Sequence, residues 1–124
     1  MASFLSDGGS GNEGTLQNRR RRILVVDDDA TSRLLMAAAF DEQGFLVTEA
    51  ANGTRAVELF PTVKPDLVVL DLLMPGLDGF DTCLELRRLS PNTPIVMLTG
   101  LHDLESINRA YKVGATEFAT KPIS

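Results

Sequence analysis

The chain has 124 residues, 44% of them hydrophobic and 23% charged, which is the make-up of one ordinary globular domain. Its formal net charge of −5 argues against direct binding to nucleic acid, and its lone cysteine, Cys83, excludes an internal disulfide or a cysteine metal pair. Its apolar runs are too short to span a bilayer, and Met1–Leu5 lacks the layout of a secretory signal, so a cytoplasmic location with no membrane partner is expected.

Residues 1–18 are rich in glycine, serine and asparagine, which bury little and lose much entropy on ordering. With the arginines that follow, residues 1–21 are expected to form a flexible tail. Arg19–Arg22 is read as a solvated approach to the first strand.

From Ile23 onward two textures alternate. Ile23–Val26, Phe45–Thr48, Leu67–Leu70, Ile95–Leu98 and Glu117–Thr120 are short apolar runs of the kind that form strands buried on both faces. Helical spacing falls between them. Thr31–Gln43 carries Leu34, Leu35, Ala38 and Ala39 as its apolar face and stops at Gly44. Gly53–Phe60 carries Ala56, Val57 and Phe60 and is closed by Pro61. Asp78–Leu89 opens on a capping acid and presents Phe80, Cys83, Leu84 and Arg87. Asp103–Val113 presents Leu104, Ile107, Ala110 and Tyr111 before Gly114. Strands alternating with helices predict βαβ crossovers and an α/β three-layer sandwich with a parallel sheet. Only Lys121–Ser124 follow the fifth strand, so the closing fifth helix is missing. The domain, residues 22–124, is expected to be cut short or to continue into an output module.

Ligands of open α/β sheets bind beyond the carboxyl ends of the strands. The first strand ends in Asp27, Asp28 and Asp29, the third in Asp71, the fourth in Thr99 and the fifth in Lys121. The second strand brings no such residue. Helix capping accounts for Asp29, Asp78 and Asp103. It does not account for Asp71, which has apolar runs on both sides. Two like charges roughly 4 Å apart cost about 4 kcal/mol at an effective dielectric near 20, so a cluster of Asp27, Asp28 and Asp71 calls for cations. Lys121 supplies one charge. An all-oxygen donor set with room for water suits Mg²⁺, or Mn²⁺ in its place. His102, the lone histidine, is read as an ordinary loop residue.

A carboxylate, a divalent cation, a lysine and a hydroxyl around one point make a phosphoryl-transfer site, because that reaction is carried by positioning and charge neutralisation. Asp71 is assigned as nucleophile and phosphoacceptor. Asp27 and Asp28 hold the metal, Thr99 bonds a phosphoryl oxygen, and Lys121 pairs first with the carboxylate and then with the phosphoryl group.

The segments Ile23–Asp29 (ILVVDDD), Leu67–Gly79 (LVVLDLLMPGLDG), Pro94–Gly100 (PIVMLTG) and Gly114–Ile123 (GATEFATKPI) resemble, in order, the receiver domains of bacterial two-component response regulators. Asp28 to Asp71, Asp71 to Thr99 and Thr99 to Lys121 are 43, 28 and 22 residues apart, spacings usual for that family. The resemblance implies a flavodoxin-like, doubly wound sheet of strand order 2-1-3-4-5. It implies a phosphoryl donor that is a histidine kinase or phosphotransfer protein, and an output domain after Ser124. It makes the backbone carbonyl of Leu73 a metal ligand and Phe118 the aromatic switch partner of Thr99. Pro122 follows Lys121 as in the family. Homodimers of the family use the fourth helix, fifth strand and fifth helix, so dimerisation is in doubt without the last of these.

Leu73 and Leu101 stand two residues beyond Asp71 and Thr99, and their bulk is expected to slow hydrolysis of the phosphoryl group. Thr99, residues 100–103 and the fourth helix are expected to move on switching. Three competing readings are weaker. A pseudo-receiver, a protein-binding module without phosphorylation, does not need the intact acids and lysine. An aspartate-nucleophile phosphatase needs an acid where Leu73 stands. A flavin carrier needs a phosphate loop where three aspartates stand.

Overall fold

The computed structural model describes residues 19–72, 74, 76, 78–100 and 104–121. The expectations for the tail before Arg19, for Leu73, Leu101, His102 and Asp103, and for Pro122 lie outside those residues. The elements run β1 Arg22–Val26, α1 Ala30–Glu42, β2 Leu46–Ala50, α2 Gly53–Val63, β3 Leu67–Asp71, α3 Gly79–Leu89, β4 Ile95–Thr99, α4 Leu104–Lys112 and β5 Glu117–Thr120. All pairings are parallel and the strand order is β2-β1-β3-β4-β5, as the resemblance implies. No helix follows β5 among the described residues.

Alternate residues of each central strand serve opposite faces. Leu24, Val26, Val68, Leu70, Ile95 and Met97 pack with Ala56, Phe60, Cys83 and Leu86 from α2 and α3. Ile23, Val25, Val69 and Leu98 pack on the other side with Met36 and Phe40 of α1. Both faces of β1, β3 and β4 are therefore apolar, and their runs show no polar alternation, whereas β2 and β5 lie at the sheet edges and are partly exposed rather than buried on both faces.

Several expected details are corrected. Helix α1 buries Ala37 and packs Met36 and Phe40, whereas Leu34 and Leu35 are 56% and 67% exposed and Ala38 and Ala39 face outward with them. Apolar residues occupy nearly the whole circumference of this helix, so spacing alone does not choose the buried face. In α3, Leu86 is buried and Leu84 exposed. In α4, Ala110 is buried while Leu104 and Tyr111 are exposed. Pro61 lies inside α2, which runs one turn further and closes through the Lys64 amide on the Phe60 carbonyl at 2.9 Å. Strand β2 begins after Phe45, whose ring meets Phe40 edge to face at 6.1 Å, and it extends to Ala50. The arginine run is not merely solvated. Arg20 donates to the carbonyls of Gly44 and Phe45 at 2.9 and 2.7 Å, and Arg19 pairs with Asp66 at 3.8 Å.

Candidate functional site

The parallel register carries β1 and β3 to a common edge. Val26 pairs with Leu70, so Asp27 and Asp71 leave adjacent strands at nearly the same level. Thr99 ends β4, and its carbonyl accepts from the Lys121 amide at 2.8 Å, which brings the end of β5 to the same edge. The structure thus brings together five predicted site residues: Asp27, Asp28, Asp71, Thr99 and Lys121. One carboxylate oxygen from each of Asp27, Asp28 and Asp71 lies within 4.8 Å of the others.

The burial of these acids differs. Asp27 is fully buried, Asp71 is 7% exposed, and Asp28 is exposed. Buried carboxylates need partners. Asp27 Oδ2 accepts from Lys121 Nζ at 2.8 Å, and its Oδ1 accepts from the Asp29 amide at 2.9 Å. The same ammonium lies 3.6 Å from Asp71 Oδ1. Burial pushes the Asp27 carboxyl up, but the hydrogen bonds from Lys121 and the Asp29 amide outweigh it and hold the group below its usual range. For Lys121 burial acts downward, and the bond to Asp27 and the charge of Asp71 raise it above its usual value.

Local sequence sets this geometry. Asp29 is the N-cap of α1 and accepts from the Ser32 amide at 3.0 Å, which turns the chain sharply after Asp28. Asp78 caps α3 in the same way through the Asp81 amide at 2.9 Å. Gly79 lets α3 start against the end of β3. A Cβ there would lie 2.5 Å from the Asp71 carbonyl oxygen and 2.6 Å from Leu72 Cα. Thr99 is buried, and Phe118 is half-buried against the larger core cluster. Cys83 is buried, as expected, and burial pushes its thiol up despite the nearby Arg87 charge.

Besides Gly79, two residues escaped the sequence reading. Arg33 donates to the Asp27 carbonyl at 2.8 Å and to Glu49 at 3.1 Å. Glu49 sits near the end of β2, so the second strand also delivers an acid close to this edge. The i+4 spacing of Asp29 and Arg33 was visible. The link to Glu49 depends on the β1–β2 register and was not.

Among the described residues the cluster consists of three carboxylates, a hard-oxygen donor set that fits a small divalent cation such as Mg²⁺. Among the described residues no helix is long and apolar enough to cross a membrane.

The family model for the response regulator receiver domain matches residues 23–124. A probable transcriptional regulator of Porphyridium aerugineum, ycf27, is 44% identical over 81 residues, covering 65% of this chain and 33% of that protein. The chain thus spans about a third of the length of such curated relatives. The structure of the chemotaxis protein CheY4 of Vibrio cholerae superposes with a TM-score of 0.83 at 30% identity, over 86% of this chain and 90% of that one. A receiver domain of a Francisella response regulator gives a TM-score of 0.78 at 34% identity, over 85% and 87% of the two chains.

Proposed function

This chain belongs to the response regulator receiver family of two-component signalling, and from that premise we propose that Asp71 accepts a phosphoryl group and that the domain is a phosphorylation switch. The observation that carries the reading is the Lys121 ammonium between Asp27 at 2.8 Å and Asp71 at 3.6 Å, beside a third carboxylate from Asp28.

The phosphoryl donor is a phosphohistidine of a kinase or phosphotransfer protein. An Asp71 carboxylate oxygen forms the new O–P bond as the P–N bond breaks, and the departing imidazole nitrogen keeps the electron pair and takes up a proton. Lys121 neutralises charge on the phosphoryl oxygens, and the Thr99 hydroxyl donates to one of them. Asp27, Asp28 and Asp71, with the Leu73 carbonyl, would hold Mg²⁺ or Mn²⁺, which supplies further charge neutralisation. Phe118 turns inward as Thr99 moves, and α4 follows. The new state controls an output module in the full-length protein, in keeping with relatives that are longer and named as transcriptional regulators. The domain catalyses only its own phosphorylation and dephosphorylation.

The test is incubation with acetyl phosphate and Mg²⁺, followed by intact-mass analysis. The mass of one added phosphoryl group is expected, absent without Mg²⁺ and absent in Asp71→Asn. No adduct in the wild type, or the same adduct in Asp71→Asn, would leave the domain as a protein-binding module that is not phosphorylated on Asp71.

A further inference from the structure

Asp28 is the exposed member of the acid cluster, and among the described residues its carboxylate is placed by the backbone that carries it. The Asp27 amide donates to the Ala50 carbonyl at 3.1 Å, and the Asp27 carbonyl accepts from Arg33 Nη1 at 2.8 Å. That carbonyl belongs to the peptide plane joining Asp27 to Asp28. Fixing the plane fixes the Asp28 N–Cα bond, so that only the Asp28 φ is left to set the direction of its Cα–Cβ bond. Downstream, Asp29 is held by its cap on Ser32.

Arg33 is itself constrained. Its side chain is 17% exposed, and its Nε donates to Glu49 Oε1 at 3.1 Å. Glu49 matters for charge as well as geometry. An unpaired guanidinium this close to Asp27 and Asp28 would be drawn to their carboxylates, where it would compete with a cation. Pairing with Glu49 keeps it on the carbonyl.

We infer that Arg33, held by Glu49, is a positioning residue that orients the Asp27–Asp28 peptide so that the Asp28 carboxylate joins the cation-binding cluster. This rests on the reading of Asp27, Asp28 and Asp71 as cation ligands. The sign of the effect separates positioning from simple charge. If Arg33 acts only as a nearby positive charge, removing it tightens binding of a divalent cation. If it positions Asp28, removing it weakens binding, by about 10–100-fold as for other partners outside a ligand shell.

The experiment is Mn²⁺ titration of the full chain, read by electron paramagnetic resonance of the free ion, with Asp28→Asn as the control for the site. Arg33→Met is expected to raise the Kd about tenfold or more, with Arg33→Lys between it and the wild type. Glu49→Gln is expected to raise it too, by a ratio to wild type that shrinks as salt screens the misdirected guanidinium. A purely structural role gives no such salt dependence. Wild-type affinity or tighter binding in Arg33→Met, alongside lost binding in Asp28→Asn, overturns the inference and leaves the cation site standing. No Mn²⁺ binding by the wild type, or equal binding by Asp28→Asn, overturns both. If Arg33→Met does not fold, unchanged affinity in both Arg33→Lys and Glu49→Gln overturns the inference instead.

Discussion

Replacing Lys121 by methionine keeps the side chain's length and removes the ammonium that lies 2.8 Å from Asp27 and 3.6 Å from Asp71. At an effective dielectric near 20, those separations correspond to about 6 and about 5 kcal/mol of gross attraction. Much of this is cancelled by desolvation, and breaking a buried pair usually costs about 3–5 kcal/mol. The Lys121 side chain is 26% exposed, so solvent screening favours the lower end, about 3 kcal/mol at neutral pH. The pH dependence is more diagnostic. In the wild type the Asp27 carboxyl lies below its usual 3.8, so its contribution is present above that value and lost as pH falls through the folded one. The Lys121 amine lies above its usual 10.5, so its contribution is present below that value and lost only as pH rises through the folded one. Across the interval between them the pair adds no slope. In Lys121→Met, burial of Asp27 is no longer outweighed by the ammonium, and its native carboxyl moves up. The native state then binds a proton more readily than the unfolded chain. Stability rises as pH falls, by up to about 1.4 kcal/mol per pH unit. Guanidinium denaturation of both proteins from about pH 4 upward to neutrality, without divalent cations, measures this. Titration of groups that do not touch Lys121 is common to both and cancels in the difference, and loss of the ammonium acts on Asp71 in the same direction as on Asp27. A variant within about 1 kcal/mol of wild type at neutral pH, or two parallel pH curves, would refute the reasoning.

Gly79→Ala places a Cβ against backbone atoms of Asp71 and Leu72, so α3 must draw back from β3. A loss of about 1–3 kcal/mol is expected in denaturation, together with slower labelling by acetyl phosphate. Leu35→Gln on the exposed face of α1 should leave stability within about 0.5 kcal/mol of wild type, and a loss of several times that would mean this face is the packed one. Thr82 is fully buried and its hydroxyl donates to the Asp78 carbonyl at 2.7 Å, so Thr82→Val should cost about 1 kcal/mol by chemical denaturation.

The sheet and its site edge were legible for a physical reason. Strands buried on both faces must be apolar throughout, so the first charged residue after each run marks where the strand leaves the core. Asp27 stands out on that rule alone, and Asp71 stands out because a carboxylate between two apolar runs has no local explanation; Lys121 is legible only as the residue that follows β5, since that edge strand carries Glu117 and is exposed at both ends. The face of α1 was not legible, because Leu34 and Leu35 are as apolar as Met36 and Phe40 and only the position of the sheet distinguishes them. The start of β2 was placed one residue early, at Phe45, because the bond from the Phe45 amide to the Phe40 carbonyl across the turn is not written in either residue's type. Arg33, Glu49 and Gly79 were missed because each acts through a contact set by strand register or helix approach. A residue's own type does not encode those quantities.

The acids of the site divide the work according to burial. Asp27 is enclosed, with both carboxylate oxygens bonded and its backbone tied on both sides, so its carboxylate is fixed before any ligand arrives. Asp28 is exposed, so its carboxylate stays hydrated and can exchange water for a cation at small desolvation cost. Asp71 lies between these extremes, buried enough to strengthen its pairing with Lys121 and open enough to be reached. Three carboxylates against one ammonium leave about two unbalanced negative charges, which a divalent cation would neutralise. Apolar replacement of buried charges is often neutral or stabilising, so Asp27 and Asp71 are not there for stability, and the wholly buried centres of β1, β3 and β4 supply it instead. The like-charge repulsion retained at this edge would favour a bound cation over the bare cluster, and such a cation would be coupled to Lys121, because both would compensate the carboxylates of Asp27 and Asp71.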